Sequence, residues 1–136
     1  MGLLGTMSVA AAEPPSLDVT VTNLRNAKGN VLICLTANPK AFPDCSKDAQ
    51  SHKLVVAAAQ AGSVHFAHLA PGIYAISLIH DENANGKLDT AMMIPREGFG
   101  FSMNPAIAFG PPKFASARFG IGPGETAQSV RMKYMF

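Results

Sequence analysis

The sequence predicts an all-β protein, a single antiparallel β-sandwich of about seven short strands with one long irregular excursion. Three observations carry this. Twelve Gly and ten Pro with no Trp favour short elements joined by turns. Apolar residues alternate with polar ones or run together briefly, and a turn signal closes each run. No stretch holds a convincing amphipathic helical period. The chain of 136 residues is 48% hydrophobic and 15% charged, which suits one domain and excludes a disordered chain. Eleven Lys+Arg against nine Asp+Glu leave +2, scattered along the chain, which excludes a nucleic-acid footprint.

The strands follow in order. Leu17 to Thr22 alternates, placing Leu17, Val19 and Val21 on one face. Asn26 to Asn30 is a turn in which Gly29 is free to take positive φ. Val31 to Thr36 is a nearly continuous apolar run, read as an interior strand. Residues 37–51 form a loop with prolines and charges. His52 to Ala59 is read as a strand, because Gly62 closes it too early for a stable helix. Val64 to Leu69 is the next strand, and Ala70-Pro71-Gly72 turns the chain. Ile73 to His80, the most apolar run, is the best candidate for a central strand. Residues 81–115 carry no clean period, and an excursion of that length is usually functional. Strands resume at Ala115 to Ile121 and Ala127 to Tyr134, around the Gly122-Pro123-Gly124 turn.

Met1 to Ala12 is uncharged, apolar and rich in small residues, and Glu13-Pro14-Pro15 follows it. That pattern predicts a signal peptide cleaved after Ala12, although it lacks a basic first segment, and leaves 13–136 as one periplasmic or secreted domain. No other apolar run reaches the length of a transmembrane span. Cys34 and Cys45 are the two cysteines, and an even count in an exported chain predicts a disulfide between them. Two buried thiols are the alternative in a reducing compartment.

The densest polar cluster is His80 to Asp89. Asp81, Asn83, Asn85 and Asp89 stand at positions one, three, five and nine of a D-x-N-x-N-G-x-x-D pattern, which makes them calcium candidates. Met92 occupies the position where an EF-hand has its bidentate Glu, and no helices flank the loop. The alternative is a turn in which Asp and Asn side chains satisfy their own backbone. His80 beside Asp81 suggests a small hydrolase, but neighbouring strand residues point to opposite faces and pair poorly as acid and base. A second cluster, Arg96, Glu97, Phe99 and Phe101, continues to Phe109 and Phe114. Exposed, it is a binding surface for a ligand or partner. Buried, it pins the excursion to the sandwich.

Phe66 to Ile76 resembles the F-x-x-L-x-P-G-x-Y-x-V hairpin of transthyretin-like (prealbumin-like) sandwich modules. HDENANGKLDT, PREGFGFS and GPPKF, in that order, resemble the bacterial domain of unknown function family 2141 over roughly residues 17–136. The resemblance implies a small exported β-sandwich with no established activity or catalytic residues. Related repeats carry a D-x-N-x-D-G-x-x-D-x-x-E calcium loop, of which Asp81, Asn83, Asn85 and Asp89 match. The expectation is therefore an exported, non-enzymatic module that binds an unknown protein or small-molecule ligand through residues 81–114. A calcium-stabilised structural domain and a hydrolase using His80 are the alternatives.

Overall fold

A computed structural model of the chain describes residues 13–45, 48–86, 90–91, 94–95, 97–107 and 110–135. The chain is all-β. Its strands are β1 (Ser16–Thr22), β2 (Asn30–Thr36), β3 (His52–Ala57), β4 (Ser63–Phe66), β5 (Gly72–Asp81), β6 (Thr90–Ala91), β7 (Ile94–Pro95), β8 (Gly98–Phe101), β9 (Phe119–Ile121) and β10 (Glu125–Arg131). One turn of helix, α1 (Phe114–Ala117), precedes β9. One layer runs β10-β1-β4 and the other β3-β2-β5-β8, while β6 and β7 pair with each other. β8 pairs with β5 at Ser77 to His80 and β9 pairs with it at Gly72 to Tyr74.

β1 buries one face, as its alternation requires. Leu17, Val19 and Val21 pack with Val64, Phe66 and Val130 against the second layer. β2 and β5 behave differently, because their sheet is covered on both sides. Val31, Ile33, Leu35, Tyr74, Ile76 and Leu78 enter the core between the layers. On the outer face Ala75, Phe99 and Phe101 pack with Ala117 beneath Phe42, Ile107 and Phe114. Burial from two sides explains why both strands read as continuous apolar runs rather than alternating ones.

The sandwich is closed along β8 by the end of the chain. Gly98 and Gly100 allow this approach: a Cβ at Gly98 would lie 2.3 Å from the Tyr134 ring, and one at Gly100 2.8 Å from Val130. The Phe99 N–H donates to the Lys133 carbonyl at 3.0 Å, and the Lys133 N–H returns to Phe99 at 2.8 Å. The alternation in Gly-Phe-Gly-Phe thus assigns close backbone contact to one face and aromatic packing to the other.

Several sequence expectations are corrected. β1 and β10 are parallel, from Ser16↔Glu125 to Thr22↔Arg131, whereas the other ladders are antiparallel. No hairpin joins these two strands, so nothing imposes the antiparallel sense. The strand expected over 52–59 stops at Ala57, and Ala58–Gln60 form a 3-10 turn with Ala58 buried. The strand at 64–69 ends at Phe66, and His68 takes φ 55°. The run 115–121 divides into α1 and β9, since Ala115-Ser116-Ala117 lacks β-branched side chains and Ala117 is needed in the outer cluster. β10 lies over Glu125–Arg131, and the residues after it cross to β8. The excursion also contains strands, of which β8 is a full member of the second layer.

Candidate functional site

The inward-facing row of β5 ends at His80, which is fully buried. Its Nε2 lies 2.8 Å from the Lys28 carbonyl and its Nδ1 2.8 Å from the Tyr134 hydroxyl. A carbonyl only accepts, so Nε2 donates to Lys28, and in a neutral ring Nδ1 then accepts from the Tyr134 hydroxyl. The same hydroxyl accepts the Arg25 N–H at 3.1 Å. The Arg25 guanidinium sits 4.5 Å above the Tyr134 ring, and its Nε is 2.5 Å from Glu82 Oε1. Arg25 holds the Glu82 carboxyl below its usual range, and Glu82 in turn raises the Arg25 pKa. Burial pushes the Tyr134 phenol upward. Both nitrogens of His80 are thus engaged, and the imidazole fastens the 25–28 turn, the end of β5 and the chain's last residues together.

Asp81 points away from His80, toward its own turn. It is fully buried, with Oδ1 accepting the Asn85 N–H at 3.1 Å and Oδ2 the Gly86 N–H at 2.7 Å. Asn83 and Asn85 are exposed, and Asn83 Oδ1 lies 3.3 Å from the Asn85 N–H. Gly29, at φ +64°, supports this turn from the side: a Cβ there would fall 2.1 Å from the Asp81 carbonyl oxygen. Glu97 is buried and its Oε2 accepts the Glu82 N–H at 2.7 Å. The carboxylate of Asp81 thus closes the turn as an acceptor for backbone donors. Asp89, the fourth calcium candidate, lies outside the described residues, as do Met92, Arg96, Phe109 and residues 1–12, over which a signal peptide is expected. Among the described residues no group of three or more His, Cys, Asp or Glu side chains could hold a metal ion.

The outer layer collects the aromatics. Cys34 and Cys45 form the expected disulfide, with Cα atoms 5.6 Å apart, and tether the 37–45 loop across the sheet. The Ser77 hydroxyl donates to the Pro43 carbonyl beneath that loop. Phe42 lies 5.8 Å from Phe101 and meets Phe114 edge-on at 6.1 Å. Phe99 and Phe101 are each only 7% exposed, so they anchor this layer and do not present a surface. Phe42 and Phe114 remain half-buried. Between them runs a groove of about 590 Å³, walled by Pro39, Phe42 and Pro43 on one side and by Pro112, Lys113, Phe114 and Arg118 on the other.

The sequence placed Phe114 in its aromatic cluster but gave no sign of Phe42, Arg118, Arg25 or Tyr134. Arg25 and Tyr134 stand 109 positions apart, and no local pattern connects them. Among the described residues no helix is long and apolar enough to cross a membrane. The family described as an uncharacterized protein conserved in bacteria (DUF2141) matches residues 19–129. No curated protein and no solved structure matches the chain.

Proposed function

The chain belongs to the DUF2141 family, and from that premise we propose that it is an exported, non-enzymatic β-sandwich module that binds a ligand in the groove between its disulfide loop and residues 111–118. The observation that carries this reading is the half-exposed pair Phe42 and Phe114. The sheet beneath is already sealed by Phe99 and Phe101, so the two outer rings keep open apolar surface that the core does not require. This surface is narrower than the whole 81–114 excursion and takes in the loop that the disulfide tethers.

Export is supported by the apolar Met1 to Ala12 segment and by the disulfide, a bond that persists in oxidising compartments. A non-enzymatic role is supported by His80, whose two nitrogens serve the fold. Amide chemical-shift mapping with a set of small aromatic fragments tests the binding reading. Shifts confined to residues 39–43 and 111–118 are expected, and shifts confined to the 81–86 turn, or none, would refute it. N-terminal sequencing of the mature protein tests export: Glu13 is expected at the start, and an uncleaved cytoplasmic chain overturns that part.

A further inference from the structure

The chemistry of the groove selects among ligands, and we infer that it takes a small organic anion: a flat apolar body ending in one carboxylate. The inference rests on the binding reading above and adds the ligand class to it. Lys113 and Arg118 stand on the same wall, and among the described residues neither side chain has a hydrogen-bond or ion-pair partner. Among the described residues no carboxylate lines the groove. Two cations facing one cleft with no counter-charge repel each other, and an anion seated between them relieves that repulsion.

The rest of the lining narrows the ligand further. Pro39, Pro43, Pro111 and Pro112 have no backbone N–H to offer, so four of the lining residues supply no backbone donor. The charged groups of the lining are Lys113 and Arg118, so the anionic end of a ligand is placed at them, while its apolar body lies on the edge-to-face rings of Phe42 and Phe114. A volume of about 590 Å³ suits a compact organic molecule. The walls are held in place beforehand. The disulfide and the Ser77 bond fix one side, and Ala117, fully buried, fixes the other. Little ordering cost is left for binding.

Titration of the full mature chain with 2-naphthoate, 2-naphthylmethanol and 2-naphthylmethylammonium, followed by amide shifts and calorimetry, tests the inference. Naphthoate is expected to bind at Phe42 and Phe114 about tenfold more tightly than the alcohol, the order expected for one charge-assisted hydrogen bond. The ammonium probe is expected to bind more weakly than the alcohol. The double variant Lys113→Gln/Arg118→Gln, both sites exposed, should melt like the wild type and bring naphthoate down to the alcohol's affinity. If all three probes bind the groove equally, or the double variant binds naphthoate unchanged, the anion inference fails while the groove reading survives. If no probe shifts the groove amides, both fail.

Discussion

At Gly98 a single hydrogen stands where any side chain would drive a carbon into the Tyr134 ring, 2.3 Å from its nearest atom. Gly98→Ala therefore has to displace the Tyr134 ring, whose hydroxyl accepts the Arg25 N–H and bonds His80 Nδ1, and is expected to cost about 1–3 kcal/mol in denaturant unfolding. Gly62→Ala, at a site with nothing within 4 Å, is the matched control and should be close to neutral. Glu82 makes a second prediction at this scale. Its hydrogen bond to Arg25 holds its carboxyl below the ordinary value of 4.5. A depressed folded-state pKa gives stability that is present above the ordinary value and lost as the pH falls through the lowered one. The pair is partly exposed and is worth about 0–1 kcal/mol. The melting temperatures of the wild type and Glu82→Gln should accordingly differ slightly at neutral pH and converge as the pH falls through the lowered Glu82 pKa.

The disulfide loop is an element without regular structure, and it covers the outer face of the second layer. Breaking its tether releases Phe42 and Pro43 from that face. Cys34→Ser/Cys45→Ser is expected to lose about 2–4 kcal/mol of unfolding free energy, chiefly because the unfolded chain regains freedom. The near-ultraviolet circular dichroism should change with it, since Phe42 packs on Phe101 and Phe114. The strands themselves were legible because alternation at Leu17, Val19 and Val21 and the apolar run at Ile73 to Leu78 are local patterns. α1 was not legible. Residues 114–117 are helical because burying Ala117 completes the outer cluster, and that demand comes from residues far away in the sequence.

For the molecule as a whole, the chain returns to its beginning. β10 lies beside β1, and the residues after it reach across to β8, so the last stretch of sequence joins the edges of both layers. Sequence order conveyed neither connection, and for the same reason the groove was invisible: its walls come from segments about seventy positions apart, brought together only by the sheet they both cover. Composition and pattern could announce one sandwich, one disulfide and a region worth attention. They could not say that Phe99 and Phe101 would be buried on the outer face of the second layer, because the pairing of β8 with β5 joins residues about twenty positions apart in sequence.

β5 occupies the position on which all of this converges, with β2 along one edge, β8 and β9 sharing the other, and side chains packed above and below. Its central amides are shielded by strands on both edges and by buried side chains on both faces. In deuterium oxide the protons of Ile76, Ser77 and Leu78 should be the last to exchange, at a rate set by global unfolding, whereas those of α1 and the 81–86 turn should be gone early.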